Sequence, residues 1–290
     1  MKKIIFLIPV YNDWESLFKL LSEIDFQIKS FKDFTFECLI INDASNIKRP
    51  NIAKPKNFSS LKILNMRVNK GHARCNAFGI RHVCQKEKFD NLILMDADGE
   101  DRPIEIKSLL EQIISDPNSS VVAKRVKRSE GYIFQLLYQI HKIITFLFTG
   151  KNINFGNYSC LTKQDVETLS NKASLWSSYS GTLKKYIKKL NEVNSTRGLR
   201  YFGPSQMSFY KLLIHSFSII AVFKYQVIFR SLIIIFLLNF FQTYLGIFSL
   251  FLQFALIFFN ILIILVGLRE DEKELFNSQE NLGIIEKITQ

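Results

Sequence analysis

The residues whose types and spacing could do chemistry lie in LILMDADGED, residues 92–101. Four apolar residues run straight into Asp96, Asp98, Glu100 and Asp101. Carboxylates this close raise one another's pKa unless a cation lies among them. Hard cations such as Mg2+ and Mn2+ prefer oxygen ligands. The cluster therefore predicts a divalent-metal site, with a solvated acidic turn as the plain alternative. Functional residues gather on the loops after strands in α/β sheets, which favours the metal. An EF-hand is excluded: its first ligand position would fall on Leu94, the preceding segment is an apolar run, and Pro103 sits inside the loop.

Such a cluster needs a strand to aim it. Short apolar runs at 3–8 (KIIFLI), 36–41 (FECLII), 61–65 and 91–95 predict strands of a sheet covered on both faces, and 121–123 a further short one. Helical spacing fills 15–31, with Leu17, Leu20, Leu21, Ile24 and Ile28 on one stripe, and recurs at 71–86 and 104–115. Alternating strands and helices predict a parallel α/β sheet whose ligands bind beyond the carboxyl ends of the strands. Those ends carry Tyr11-Asn12-Asp13, Asn42-Asp43 and Asp96-Ala97-Asp98, which should meet in one crevice. No GxGxxG follows the first strand and no GxxxxGK[ST] occurs, so neither a dinucleotide-binding Rossmann site nor a P-loop is expected.

The 290 residues fit one large domain or two smaller ones, with 48% hydrophobic content and 27 Phe. Much of the apolar content is local: from Val227 to Leu268 the only charge is Arg230. A spanning helix needs about 20 apolar residues, so two transmembrane helices, 227–243 and 247–268, are expected. Residues 131–148 read as an amphipathic helix, and 206–226, with Lys211, His215 and Lys224, as a helix lying in the membrane interface. The net charge of +12 is concentrated ahead of the apolar segment, including KRVKR at 124–128 and KKYIKK at 184–189. No nucleic-acid recognition motif accompanies it, and lipid headgroups are the nearer polyanion. The positive-inside tendency places residues 1–226 in the cytoplasm and, after two spans, the tail 269–290 there too. The N-terminus lacks a signal peptide's cleavage site and carries Pro9. Cys38, Cys75, Cys84 and Cys160 have no metal-ligand spacing and read as small apolar residues. The histidines at 72, 82, 141 and 215 share no spacing and read as structural or surface residues.

LIPVYND at 7–13, IINDAS at 40–45, NKGHARCNAFGI at 69–80 and LMDADGEDRPIE at 94–105 follow in order. Together they resemble the family-2 glycosyltransferases of GT-A fold. The nearest likeness is the membrane-anchored, dolichyl-phosphate mannose synthase-like branch that loads sugars onto polyprenyl phosphates. That branch reads VIPVYNE, VDDGS, N-x-G and MDADLQDPPE at matching places. The likeness covers residues 3–128 and continues more weakly at 157–166 (NYSCLTKQDV) and 200–213 (RYFGPSQMSFYKLL). The chain departs from the branch pattern at Glu100, Arg102, Asn157-Tyr158-Ser159 and Gln206. No QxxRW, the mark of processive synthases, is present.

The resemblance implies a Rossmann-like nucleotide-diphospho-sugar transferase domain at 1–205, an interfacial helix at 206–226, a transmembrane helical hairpin at 227–268 and a cytoplasmic tail. It implies that Pro9, Tyr11, Asn12, Asp13, Asp43, Gly71 and Asp96 bind the donor, and that Asp96 and Asp98 form the DxD pair holding Mg2+ or Mn2+. Asp101 would be a third catalytic carboxylate. Arg125, Arg128 and Arg200 would receive an acceptor phosphate. The implied activity is inverting, metal-dependent transfer of one sugar from a UDP- or GDP-sugar to a lipid-linked acceptor such as polyprenyl phosphate. It would serve cell-surface glycan biosynthesis at the cytoplasmic membrane face. Two alternatives stay open: transfer to a saccharide or glycolipid hydroxyl with Asp101 or Glu100 as base, and a non-catalytic membrane-anchored partner subunit. The oligomeric state, homo-oligomers included, is left open by the sequence.

Overall fold

The computed structural model describes residues 1–127, 132–204 and 208–288. The chain runs β1 (Lys2–Val10), α1 (Trp14–Ile28), β2 (Phe34–Asn42), β3 (Phe58–Met66), α2 (His72–Lys86), β4 (Asn91–Leu94), α3 (Ile106–Ser115), β5 (Ser120–Lys127), α4 (Tyr132–Thr149), β6 (Phe155–Thr162), α5 (Lys163–Ser170), α6 (Tyr179–Tyr186) and β7 (Leu190–Thr196). It continues with α7 (Phe209–Ala221), α8 (Lys224–Phe240), α9 (Gln242–Leu245), α10 (Ile247–Gly267), α11 (Glu272–Phe276) and β8 (Leu282–Ile288).

The strands form an eight-stranded sheet in the order β7-β5-β6-β4-β1-β2-β3-β8. β1 lies at its centre, parallel to β2 and β4, and β2 is parallel to β3. Each β1 residue from Ile4 to Val10 is buried, as a central strand covered on both faces requires. Alternate residues point to opposite faces. Ile5, Leu7, Leu39 and Ile41 pack with α2, while Ile4, Phe6, Ile8 and Val10 pack with the apolar stripe of α1. Gly79 is needed at the first interface, because a Cβ there would sit 2.5 Å from a methyl of Leu7.

The parallel sheet expected from the alternation is present at β1–β2, β1–β4, β2–β3 and β5–β7, and three further pairings depart from it. β4–β6, β5–β6 and β3–β8 are antiparallel. β3 and β5 are longer than their apolar runs suggested, because backbone hydrogen bonds to the neighbouring strands continue the ladder through polar positions. The tail after residue 268 is no free tail: α11 packs on the helical layer, and β8 closes the sheet edge beside β3.

The helix expected over 206–226 appears as α7, with Phe209 and Tyr210 exposed near its start. α7 ends at Ala221, and the axis turns by 85° into α8. Ile219, Ile220 and Ala221 are buried rather than presented to a surface. α8 and α10 run antiparallel, joined at one end by Lys224 Nζ to Glu270 Oε2 at 2.7 Å and at the other by Ser249 Oγ to Leu238 O at 2.7 Å. Among the described residues one helix, starting at Ile247, is by itself long and apolar enough to cross a membrane, with mean hydropathy 2.6; α7 and α8 meet that test only as a bent pair. Arg230, the lone charge of the apolar segment, donates from Nη1 to Leu147 O at 2.9 Å. A cation there offsets the free carbonyls that end α4.

Candidate active site

β4 delivers the acidic cluster as its spacing predicts. Past Met95 the backbone turns through Gly99, at φ +86°. A Cβ on Gly99 would also overlap the Tyr201 ring, so glycine answers both strain and space. Asp101 folds back and accepts the Asp96 N–H on Oδ2 at 2.9 Å. Asp98 Oδ1 accepts the Glu100 N–H at 3.0 Å. Asp96, Asp98 and Asp101 thus share one turn, and Asp101 is buried.

The electrostatics follow from that crowding. Burial, then the charge of Asp96, raises Asp101 to about 8, and nearby Arg125 works against the rise. Burial, Asp96 and Glu100 raise Asp98 to about 6. Asp96 goes the other way: burial pushes its carboxyl up, but the imidazole of His72 and the Asn157 amide outweigh it and hold the group well below the usual range. His72 Nε2 lies 3.2 Å from Asp96 Oδ1, and Asn157 Nδ2 donates to the same oxygen at 3.2 Å.

Four expected donor residues, Tyr11, Asn12, Asp43 and Gly71, lie on the three loops that follow β1, β2 and β3. Asn12, at φ +57°, accepts the N–H groups of Asn46 and Ile47 on Oδ1 at 2.9 and 3.1 Å, and its own N–H donates to Ser45 Oγ. Asp43 is buried, and its two carboxylate oxygens accept the Lys70 and Gly71 N–H groups, each at 2.8 Å. It therefore fixes the loop at Gly71 rather than presenting open oxygens. Gly71 sits at φ +89° with nothing within 4 Å of a Cβ position, so backbone conformation rather than space calls for glycine there. Tyr11 is exposed at the end of β1, and Pro9 is buried within it.

Arg200 does not stand apart as an acceptor group. Its Nη1 donates to Asp98 Oδ2 and its Nη2 to Asp13 Oδ2. Arg125 lies over Gly156, where a Cβ would overlap its guanidinium. Arg128 and Gln206 lie outside the described residues. Glu100 pairs with Arg197. His72 and Asn157 are the site residues that sequence reasoning missed. A lone histidine carries no spacing signal, although Asn157 stands at one of the departures from the branch pattern.

The donor chemistry fits a hard divalent cation: carboxylates on one short turn, two of them pushed up partly by mutual repulsion. Among the described residues no three His, Cys, Asp or Glu side chains converge closely enough to hold an ion as they stand. Asp98 Oδ2 is taken by Arg200, so an ion there must displace that guanidinium.

Comparison with known proteins agrees with this architecture. The chain is 25% identical over 225 residues to the undecaprenyl-phosphate 4-deoxy-4-formamido-L-arabinose transferases of Photorhabdus laumondii and Salmonella choleraesuis, with 73% of this chain and 65% of each relative covered. The match thus spans somewhat less than two thirds of those relatives' length. Glucosyl-3-phosphoglycerate synthase from Mycobacterium tuberculosis, crystallised with Mn2+, UDP-glucose and phosphoglyceric acid, superposes with a TM-score of 0.51 at 11% identity, covering 78% of this chain and 80% of that one. The same synthase with Mn2+, UDP and glucosyl-3-phosphoglycerate gives 0.50 at 12% identity over the same shares. These likenesses show the GT-A fold. The sequence pattern described as glycosyl transferase family 2 matches residues 5–190, well over half of the protein. The chain belongs to glycosyl transferase family 2.

Proposed function

We propose that the protein transfers one glycosyl unit, with inversion, from a UDP- or GDP-sugar to a polyprenyl-phosphate acceptor at the cytoplasmic face of a membrane. The observation that carries this is the Asp96–Asp98–Asp101 turn meeting His72 at the start of α2 and two arginines, on a chain whose apolar helical pair precedes its last strand. The named relatives act on undecaprenyl phosphate, which supports the acceptor class.

The chain's own residues divide the work. The Asn12 and Asp43 loops shape the nucleotide pocket. Asp96 and Asp98 would hold Mg2+ or Mn2+ once Arg200 withdraws. The bound ion would neutralise charge on the diphosphate leaving group. An ionised phosphate acceptor needs no base, only cations to orient it. Arg125 and the displaced Arg200 supply these, with Arg128 as a third. Acceptance by a hydroxyl is the weaker reading, because Glu100 is engaged by Arg197 and Asp101 is buried with Oδ2 bonded to the Asp96 N–H. The exposed apolar faces of α8 and α10 would seat the protein on its lipid substrate.

The test is a radiolabel transfer assay with full-length protein in detergent, UDP- and GDP-sugars, Mn2+ or Mg2+, and undecaprenyl phosphate. Metal-dependent label in the lipid phase, absent with Asp98→Ala, is the expected result. Donor binding without lipid labelling moves the acceptor to a hydroxyl. No binding at all leaves a non-catalytic subunit.

A further inference from the structure

We infer that the segment following the apolar helices, α11 to β8, positions the nucleotide pocket through Glu274, Asn281 and Glu286. The inference rests on the donor reading above for what the pocket binds. The structural link itself stands on hydrogen bonds between the tail and two loops.

The first loop follows β2. Glu286 on β8 uses both carboxylate oxygens: Oε1 accepts from Asn65 Nδ2 at 2.7 Å, and Oε2 accepts from Arg49 Nη2 at 2.6 Å. Asn65 passes the constraint on, because its Oδ1 accepts from Asn42 Nδ2 at 2.8 Å. Asn42 Oδ1 in turn accepts the Ser45 N–H at 3.0 Å, and Ser45 Oγ accepts the Asn12 N–H at 2.9 Å. This chain of bonds ends on Asn12 at φ +57° and brackets Ala44 at φ +55°, whose N–H donates to Asn42 O at 2.9 Å; both are non-glycine residues in the left-handed region. Such backbone persists only where its surroundings over-determine it. Glu286 is the charged end of the network that does so.

The second loop follows β3. Asn281 accepts the Val68 N–H on Oδ1 at 3.0 Å and donates from Nδ2 to Val68 O at 2.9 Å. Its own carbonyl accepts the Arg67 N–H at 2.8 Å. Glu274 on α11 accepts from Trp176 Nε1 at 2.9 Å and pairs with Lys70 Nζ at 3.4 Å. The Lys70 and Gly71 N–H groups meet Asp43. The loop that carries Gly71 is therefore held from the strand end on one side and from the tail on the other. Removing the tail's side chains should loosen both loops and leave β4 with its carboxylates in place.

Full-length Glu286→Ala, Glu286→Gln and Glu274→Ala proteins in detergent test this by hydrogen exchange and steady-state kinetics. Glu286 lies on an edge strand with its side chain 38% exposed, so the fold should persist. In Glu286→Ala, amides of Ser45, Asn46 and Ile47 should exchange about tenfold faster, and the donor KM should rise about tenfold, with kcat and the acceptor KM within about twofold. Glu286→Gln keeps an acceptor for Asn65 and should recover most of the KM. Glu274→Ala should act on Val68–Gly71 in the same way. Unchanged exchange at both loops overturns the inference. So does faster exchange in β1 and β4 with a falling kcat and a constant donor KM, which is general destabilisation. If the wild type transfers no sugar, the donor reading fails, and exchange at 45–47 alone decides whether the tail holds the loop.

Discussion

Arg200 lies against Asp98, Nη1 to Oδ2 at 2.6 Å, while its other terminal nitrogen reaches Asp13 at 2.7 Å. One guanidinium thus spans the first strand end and the acidic turn, occupying a carboxylate oxygen that the proposed metal ion would need. Metal entry and Arg200 binding to Asp98 are then in competition. Arg200→Ala should tighten Mn2+ binding to donor-free protein by about tenfold, roughly the ~1.4 kcal/mol of one displaced pair. It should also lower transfer at least tenfold if, as proposed, the released arginine binds the acceptor phosphate. Mn2+ titration by electron paramagnetic resonance and the lipid-labelling assay read the two effects. A loss of Mn2+ affinity in the variant would rule out competition.

Gly156 is a direct test of Arg125. It lies on β6, and a methyl group there would overlap the guanidinium and force it off its place near Asp101. Gly156→Ala should raise the acceptor KM about tenfold while the circular dichroism spectrum stays unchanged. An unaltered acceptor KM would remove Arg125 from the acceptor site.

Much of this site could be read before any coordinates, and the exceptions have physical causes. Asp96, Asp98 and Asp101 are neighbours in sequence, so the turn after β4 had to gather them. The link from Arg200 to Asp98 joins residues 102 positions apart, and no local pattern encodes it. β1 and β4 announced themselves as unbroken apolar runs because both of their faces are covered. β7 (LNEVNST) and β8 (LGIIEKI) sit at the sheet edges, where half of each strand faces outward and the apolar signal fades. β8 also follows an apolar segment that drew the eye to lipid, so its return to β3 was visible only in the fold. His72, one histidine among four without shared spacing, carries no local signal, yet it lies 3.2 Å from Asp96.

His82 sets a pH dependence away from the site. It is buried on α2, with Nδ1 3.4 Å from Gln279 Oε1, and Lys62, Lys86 and Glu87 are the charges around it. Burial lowers its pKa below the ordinary 6.5. The unfolded chain therefore takes up the proton first. Stability from the neutral ring is present above about pH 6.5 and is lost as pH falls through that value toward the folded pKa. His82→Gln should show a smaller drop in Tm between pH 7.5 and 5.5 than the wild type, at some cost in Tm at pH 7.5. An equal drop in both proteins would show that His82 titrates as it does in the unfolded chain.

The faces of α10 decide between lipid and water. Phe254 and Phe258 are 70% and 62% exposed, four residues apart on one stripe of the helix. Facing water, such phenylalanines gain nothing from their surroundings, and aspartate there would be tolerated or would improve solubility. Facing hydrocarbon, one aspartate near the bilayer centre costs about 2.5–3.5 kcal/mol on the insertion scale. The sheet adds a constraint: β8 follows α10 and pairs with β3, so both ends of the apolar segment meet the same domain. A segment that leaves and returns to one side crosses an even number of times, and among the described residues the second candidate beside α10 is the bent pair of α7 and α8. Phe254→Asp with Phe258→Asp should shift the protein from the alkali-resistant membrane pellet to the extractable fraction. Retention of the double variant in the pellet would mean that this face of α10 meets protein, not lipid.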